Sequence, residues 1–140
     1  MLYKKIMLGM LALLLSACAG SSKPSTEITM TMTEFSYSPS SITVSAGQPV
    51  ELTLKNDGQI EHDFVVEKID VSSVSVEGGG VGEHHMSGDH SNYDLHVSTS
   101  TGGTSVLKFT AYDSGTYKVF CSVEGHEAAG MVGELVVVSE

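Results

Sequence analysis

Beyond its N-terminal segment the chain repeats in twos, and that period decides what it can fold into. Ile28, Met30 and Met32 fall on one side of Glu27–Thr33. Ile42 and Val44 do the same in the next run, and Val50, Leu52 and Leu54 in the third. Residues two apart share a face of an extended strand, whereas a helix needs apolar residues three and four apart. Further runs at His62–Val66, Val71–Val76, Asp94–Ser98, Ser105–Thr110, Thr116–Phe120 and Gly133–Val138 read as strands. Turn formers separate them: Ser38-Pro39-Ser40, Ala46-Gly47-Gln48-Pro49, Asn56-Asp57-Gly58, Thr101-Gly102-Gly103 and Asp113-Ser114-Gly115. No window past the N-terminal segment sustains a helical period, and no internal repeat is visible. Short strands at this spacing predict an all-β, Greek-key β-sandwich of seven or eight strands.

The chain has 140 residues, enough for one domain. Its 7 basic residues are all lysine and face 17 acidic ones, a net charge of −10. Nothing in it could neutralise a run of phosphates, so nucleic acid is excluded as a partner. At 41% hydrophobic it has the apolar content of a globular chain. Two cysteines exclude a disulfide scaffold, all the more because Cys18 directly follows a processing signal.

That signal occupies residues 1–17. Lys4 and Lys5 precede the apolar run Ile6–Leu15, which is too short to span a bilayer. Leu15-Ser16-Ala17-Cys18 resembles the bacterial lipobox, which implies cleavage before Cys18 and lipidation of Cys18. Residues 18–26 read as a flexible, lipid-anchored tether, whose small, polar stretch Ala19–Thr26 has a reach of roughly 26 Å. The folded domain is then 27–140, expected outside the cytoplasm on the periplasmic or cell-surface side of a membrane. Losing Lys4 and Lys5 takes the net charge from −10 to −12.

One stretch breaks the strand rhythm. Glu77–Asn92 is glycine-rich, has no apolar period and carries His84, His85, Met86 and His90. It reads as a long loop. Such a cluster is a candidate metal site or metal-loading arm, although an exposed polar loop is the reading favoured here. His96 reads as a packed or surface residue rather than a ligand.

The chemistry concentrates near the C-terminus. Cys121 closes the strand Thr116–Phe120, His126 follows five residues later and Met131 five after that. Far upstream, His62 opens His62–Val66. Two imidazoles and a thiolate in a plane with a weak axial thioether describe a blue-copper electron-transfer site. A tight loop between two strands can supply three of these donors, and a neighbouring strand supplies the fourth.

Cys-x4-His-x4-Met, the upstream Glu-His-Asp-Phe and the closing Gly-Met-x-Gly-x-Leu-Val-Val resemble the cupredoxin family, in style nearest its small plastocyanin- and auracyanin-like bacterial members. The likeness covers roughly Ile28–Val138. It implies a sandwich holding one type 1 copper per chain, with His62, Cys121, His126 and Met131 as ligands and Met131 tuning the potential. It also implies that His126 serves as the electron port in an apolar patch, with Val123, Ala128, Ala129 and Gly130 as candidates for that patch. Glu124 and Glu127 flank it. Tyr117 is a candidate corner tyrosine bonding nearby backbone.

Two related types do not fit. A dinuclear copper centre needs a second cysteine where Gly125 stands, and a nitrite reductase needs two fused sandwiches. No catalytic triad or carboxylate pair suggests an enzyme, and four protein ligands leave no open metal position. The expected function is therefore electron carriage by a membrane-tethered monomer, with redox protein partners docking near His126. The alternative is a copper chaperone or scavenger serving delivery or resistance.

Overall fold

The computed structural model describes residues 26–79 and 92–139. Ten strands run in chain order: β1 (Thr26–Thr33), β2 (Ser36–Ser38), β3 (Ser41–Ser45), β4 (Pro49–Asn56), β5 (His62–Val66), β6 (Val71–Gly78), β7 (Leu95–Thr99), β8 (Thr104–Ala111), β9 (Gly115–Phe120) and β10 (Val132–Val138). They form two five-stranded sheets, ordered β2-β1-β4-β8-β6 and β3-β10-β9-β5-β7. The all-β sandwich is as expected, with ten strands instead of seven or eight. The nine runs named from sequence all form strands, and the tenth is β2, whose three residues are too few to display a period.

Alternation builds the core. Met30, Met32, Leu52, Leu54, Leu107 and Phe109 line the inner face of the first sheet. Ile42, Phe64, Leu95, Val97, Val119 and Leu135 line that of the second. All are almost completely buried. Most pairings are antiparallel, but β1 runs parallel to β4 and β3 parallel to β10, so the chain crosses between sheets rather than meandering along one. β5 departs from the amphipathic pattern, because all five of its residues are buried. It lies inside its sheet between β7 and β9. β6 is the opposite case: it is an edge strand with mostly exposed side chains and a bulge between Ser72 and Ser75.

The Tyr117 hydroxyl donates to the Asp113 carbonyl at 2.8 Å, so the corner-tyrosine reading holds and the turn into β9 is tied down. β6 runs on to Gly78, and Gly79 still bonds Thr104, so Glu77 and Gly78, read as the start of a loop, are strand. His84, His85, Met86 and His90 lie outside the described residues, as do the signal, Cys18 and nearly all of the tether. Among the described residues no helix is long and apolar enough to cross a membrane.

Core position sets the cost of truncation. Leu52→Ala, at a fully buried site in the centre of the first sheet, is expected to lower the free energy of unfolding by about 2–5 kcal/mol. Val74→Ala, on the exposed face of β6, is expected to change it by less than about 0.5 kcal/mol. Urea denaturation of both variants checks the contrast.

Candidate metal centre

β9 and β10 are joined by residues 121–131, a connection folded tightly on itself. Cys121 accepts this position directly after β9, and its N–H donates to the Met131 carbonyl across the base of the loop. The His126 N–H donates to Val123, the Met131 N–H to His126 and the Gly130 N–H to Glu127. Gly130, at φ 104°, turns the chain back toward β10 in a conformation that other residues rarely adopt. These turns hold Cys121, His126 and Met131 in one compact unit, and all three are buried. The Glu127 carboxylate is ion-paired with Lys118 of β9, while Glu124 is exposed.

β5 brings the remaining donor. Val65 pairs with Phe120, so the start of β5 runs alongside the start of the loop. His62, Cys121 and His126 then converge, their ligand atoms all within 4.8 Å of one another. Cys121 Sγ lies 3.4 Å from His126 Nδ1 and accepts the Asp63 N–H at 3.3 Å. The two imidazoles are 5.1 Å apart between centroids. Three of the four ligands inferred from sequence thus bring their donor atoms together, and Met131 is tied through its backbone to both Cys121 and His126.

Several positioning residues gave no sequence signal of their role. The buried Asn56 amide donates to the Ile60 and Thr99 carbonyls, and its oxygen accepts the Gly58 N–H, which shapes the connection from β4 into His62. Gly58 packs so closely there that a Cβ would sit 2.8 Å from His62 Nε2. Asp63 accepts hydroxyl bonds from Ser98 on β7 and from Ser122, next to Cys121, with His96 Nε2 at 3.6 Å. Burial pushes its carboxyl up, but the bonds from His96, Ser122 and Ser98 outweigh that and hold it below the ordinary range. The buried Tyr37 hydroxyl of β2 donates to the Asp63 carbonyl at 2.6 Å. Burial also drives the Tyr37 pKa well above its ordinary value.

The tip of the β1–β2 hairpin completes the surroundings. Glu34 and Phe35 form its two-residue connection, closed by the Thr33–Ser36 pair. Phe35 has φ 60°, a left-handed conformation that costs a bulky residue on the order of 1–3 kcal/mol. Its ring meets the His126 ring edge-on at 5.2 Å. His126 is only 5% exposed, so the imidazole read as the electron port lies just beneath the surface, beside the half-exposed Phe35.

The donor set fits a soft metal ion. Both His62 ring nitrogens are buried without a hydrogen-bond partner in the protein, and an unmet buried polar group costs roughly 1–3 kcal/mol. A metal ion accepting the lone pair of a neutral imidazole would remove that cost at the nitrogen it binds. Burial, and secondarily the neighbouring His126, lower the His62 pKa, which keeps the ring neutral and available. Burial raises the Cys121 thiol pKa, so metal binding there must displace a proton. One thiol, two imidazoles and a thioether together suit a type 1 copper ion.

Three comparisons bear on this arrangement. The family model described as a cupredoxin-like domain matches residues 5–137. Auracyanin-A of Chloroflexus aurantiacus is 30% identical over 126 residues, 85% of this chain and 77% of that protein. The copper-resistant cuproprotein CopI of Rubrivivax gelatinosus is 32% identical over 104 residues, 72% of this chain and 59% of that protein. Among solved structures, the dithionite-reduced auracyanin of Roseiflexus castenholzii superposes with a TM-score of 0.61 at 26% identity, covering 81% of this chain and 97% of its own.

The two shifted donors bracket the stability of the metal-free protein. The folded His62 resists a proton that the unfolded chain accepts near the ordinary 6.5, so stability falls as pH drops below that value. The folded Cys121 keeps a proton that the unfolded chain releases near the ordinary 9.0, so stability falls as pH rises above it. Urea midpoints of the metal-free protein are expected to peak between these two values. Cys121→Ser is expected to flatten the decline that begins near the upper one. A wild-type profile with no fall on either side contradicts the assignment.

Proposed function

The chain belongs to the cupredoxin-like family, and we propose that it is an electron carrier using one copper ion held by His62, Cys121, His126 and Met131. One observation carries this reading: buried donors from two separate parts of the chain converge within 4.8 Å, with the His62 nitrogens unmet by any protein group. Copper, when bound, supplies the one-electron Cu(I)/Cu(II) couple. The protein's residues do the rest. Cys121 would hold the ion as a thiolate after losing its proton, and His62 and His126 would hold it as neutral rings. Met131 would supply a weaker thioether donor that tunes the potential. The sandwich packed beneath and the loop above exclude water. With four protein donors there is no open position for a substrate, which favours electron carriage over catalysis.

The electron donor and acceptor dock, in this reading, on the loop end around His126. Glu34, Glu61 and Glu124 are exposed on the loops that meet there and favour basic partner surfaces. The Leu15–Cys18 motif supports a lipid anchor and an extracytoplasmic position on a membrane. The relative CopI favours a second reading, copper handling in resistance. A buried thiolate site closed by four donors suits retention of the metal rather than its delivery.

The full-length protein is expected to take up one equivalent of Cu(II) tightly and to show an intense visible thiolate-to-copper band. Cys121→Ser is expected to abolish that band. Met131→Leu is expected to keep the copper and shift the potential. Replacing His84, His85 and His90 together with Ala is expected to leave both unchanged. A Cys121→Ser protein that keeps the colour sinks the ligand assignment. For the anchor, Cys18→Ser is expected to move the protein from the membrane fraction to the soluble one, and a wild type already wholly soluble rules the anchor out.

A further inference from the structure

The β1–β2 hairpin tip sits over the metal centre but supplies no ligand to it. Its second residue adopts a left-handed backbone, at φ 60°, where glycine or asparagine is the ordinary choice. Phenylalanine stands there instead, half-exposed, with its ring edge-on to His126 at 5.2 Å. A bulky side chain held in an unfavourable backbone state, with its ring half out of the core, is not explained by packing alone. The first residue of the tip points the same way. The Glu34 carboxylate accepts the Gln59 N–H, and the ideal Cβ position at Gly58 lies 2.9 Å from Glu34 Oε1 and 2.8 Å from His62 Nε2. One two-residue turn therefore reaches both histidines of the centre, His126 directly and His62 through the loop that precedes it.

We propose that the Glu34-Phe35 turn is a strap across the metal centre and that Phe35 is its working part, a positioning residue that caps His126. The ring keeps water off the imidazole and stops it from swinging outward, which is why His126 is 5% exposed although its loop neighbours Glu124, Gly125, Glu127 and Ala128 are all exposed. The role rests on the copper reading for its purpose, but the shielding itself is a property of the protein alone. The strain is consistent with this: glycine would relax the backbone but leave the imidazole uncovered.

The test uses the full-length protein with Phe35→Gly, Phe35→Ala and Phe35→Tyr. Glycine suits the left-handed φ, so Phe35→Gly keeps the test open should Phe35→Ala fold poorly. On metal-free protein, diethyl pyrocarbonate modification of His126, followed by peptide mapping, is expected to run severalfold faster in the Gly and Ala variants and at the wild-type rate in the Tyr variant. On copper-loaded protein, extraction of the metal by EDTA is expected to accelerate in the same two variants, with the visible band initially intact. Unchanged His126 reactivity in Phe35→Gly overturns the cap. So does a Tyr variant that behaves like Ala. If the wild type binds no copper, the electron-carrier reading fails, while the modification rates still decide the role of Phe35.

Discussion

The metal-binding end of this sandwich depends on the register in which β5 lies against β9. With Val65 opposite Phe120, Asp63 comes beside Ser122 and its N–H reaches Cys121 Sγ, while His62 sits one step beyond at the mouth of the loop. A slip of one residue would reverse the faces of all β5 side chains, turning His62 and Phe64 away from the core and bringing Asp63 into it. The register is fixed by that penalty, because β5 is buried on both faces and neither set of side chains can change places without cost. Asp63 reinforces it by accepting hydroxyl bonds from Ser98 on β7 and from Ser122 just after β9, and Tyr37 pins the same residue's carbonyl.

From this register the chemistry follows with few further requirements. The β9–β10 connection needs only to fold compactly, and its internal backbone bonds with Gly130 at positive φ achieve that. The burial that the register enforces then sets the state of each donor. Desolvation holds the Cys121 thiol protonated and the His62 ring neutral in the metal-free protein. A cation that trades the thiol proton for a metal–sulfur bond and satisfies the His62 lone pair is what such a site is arranged to accept.

Much of this was legible in the sequence because it is periodic or chemically distinctive. Alternating apolar residues gave the strands, and Cys121, His126 and Met131 stood out by type and spacing. What remained hidden has physical reasons. β2 is three residues long and shows no period, yet it carries Tyr37. Phe35 occupies a backbone state that sequence statistics reserve for glycine, so nothing marked its turn as part of the site. Asn56 and Asp63 look like ordinary turn and strand-end residues, and only the tertiary structure shows their bonds to be buried and complete. The parallel pairings of β1 with β4 and β3 with β10 leave no local trace, since pairing partners distant in sequence are not encoded by alternation.

The central claim is that the fold sets the donors in place before any metal arrives. X-ray absorption spectroscopy of the Cu(I)- and Cu(II)-loaded protein at one equivalent tests it most directly. One short copper–sulfur and two copper–nitrogen bonds are expected in both oxidation states, nearly unchanged between them, with the sulfur scatterer lost in Cys121→Ser. A copper shell of nitrogen and oxygen without a short sulfur would contradict it, as would a nitrogen ligand lost on reduction.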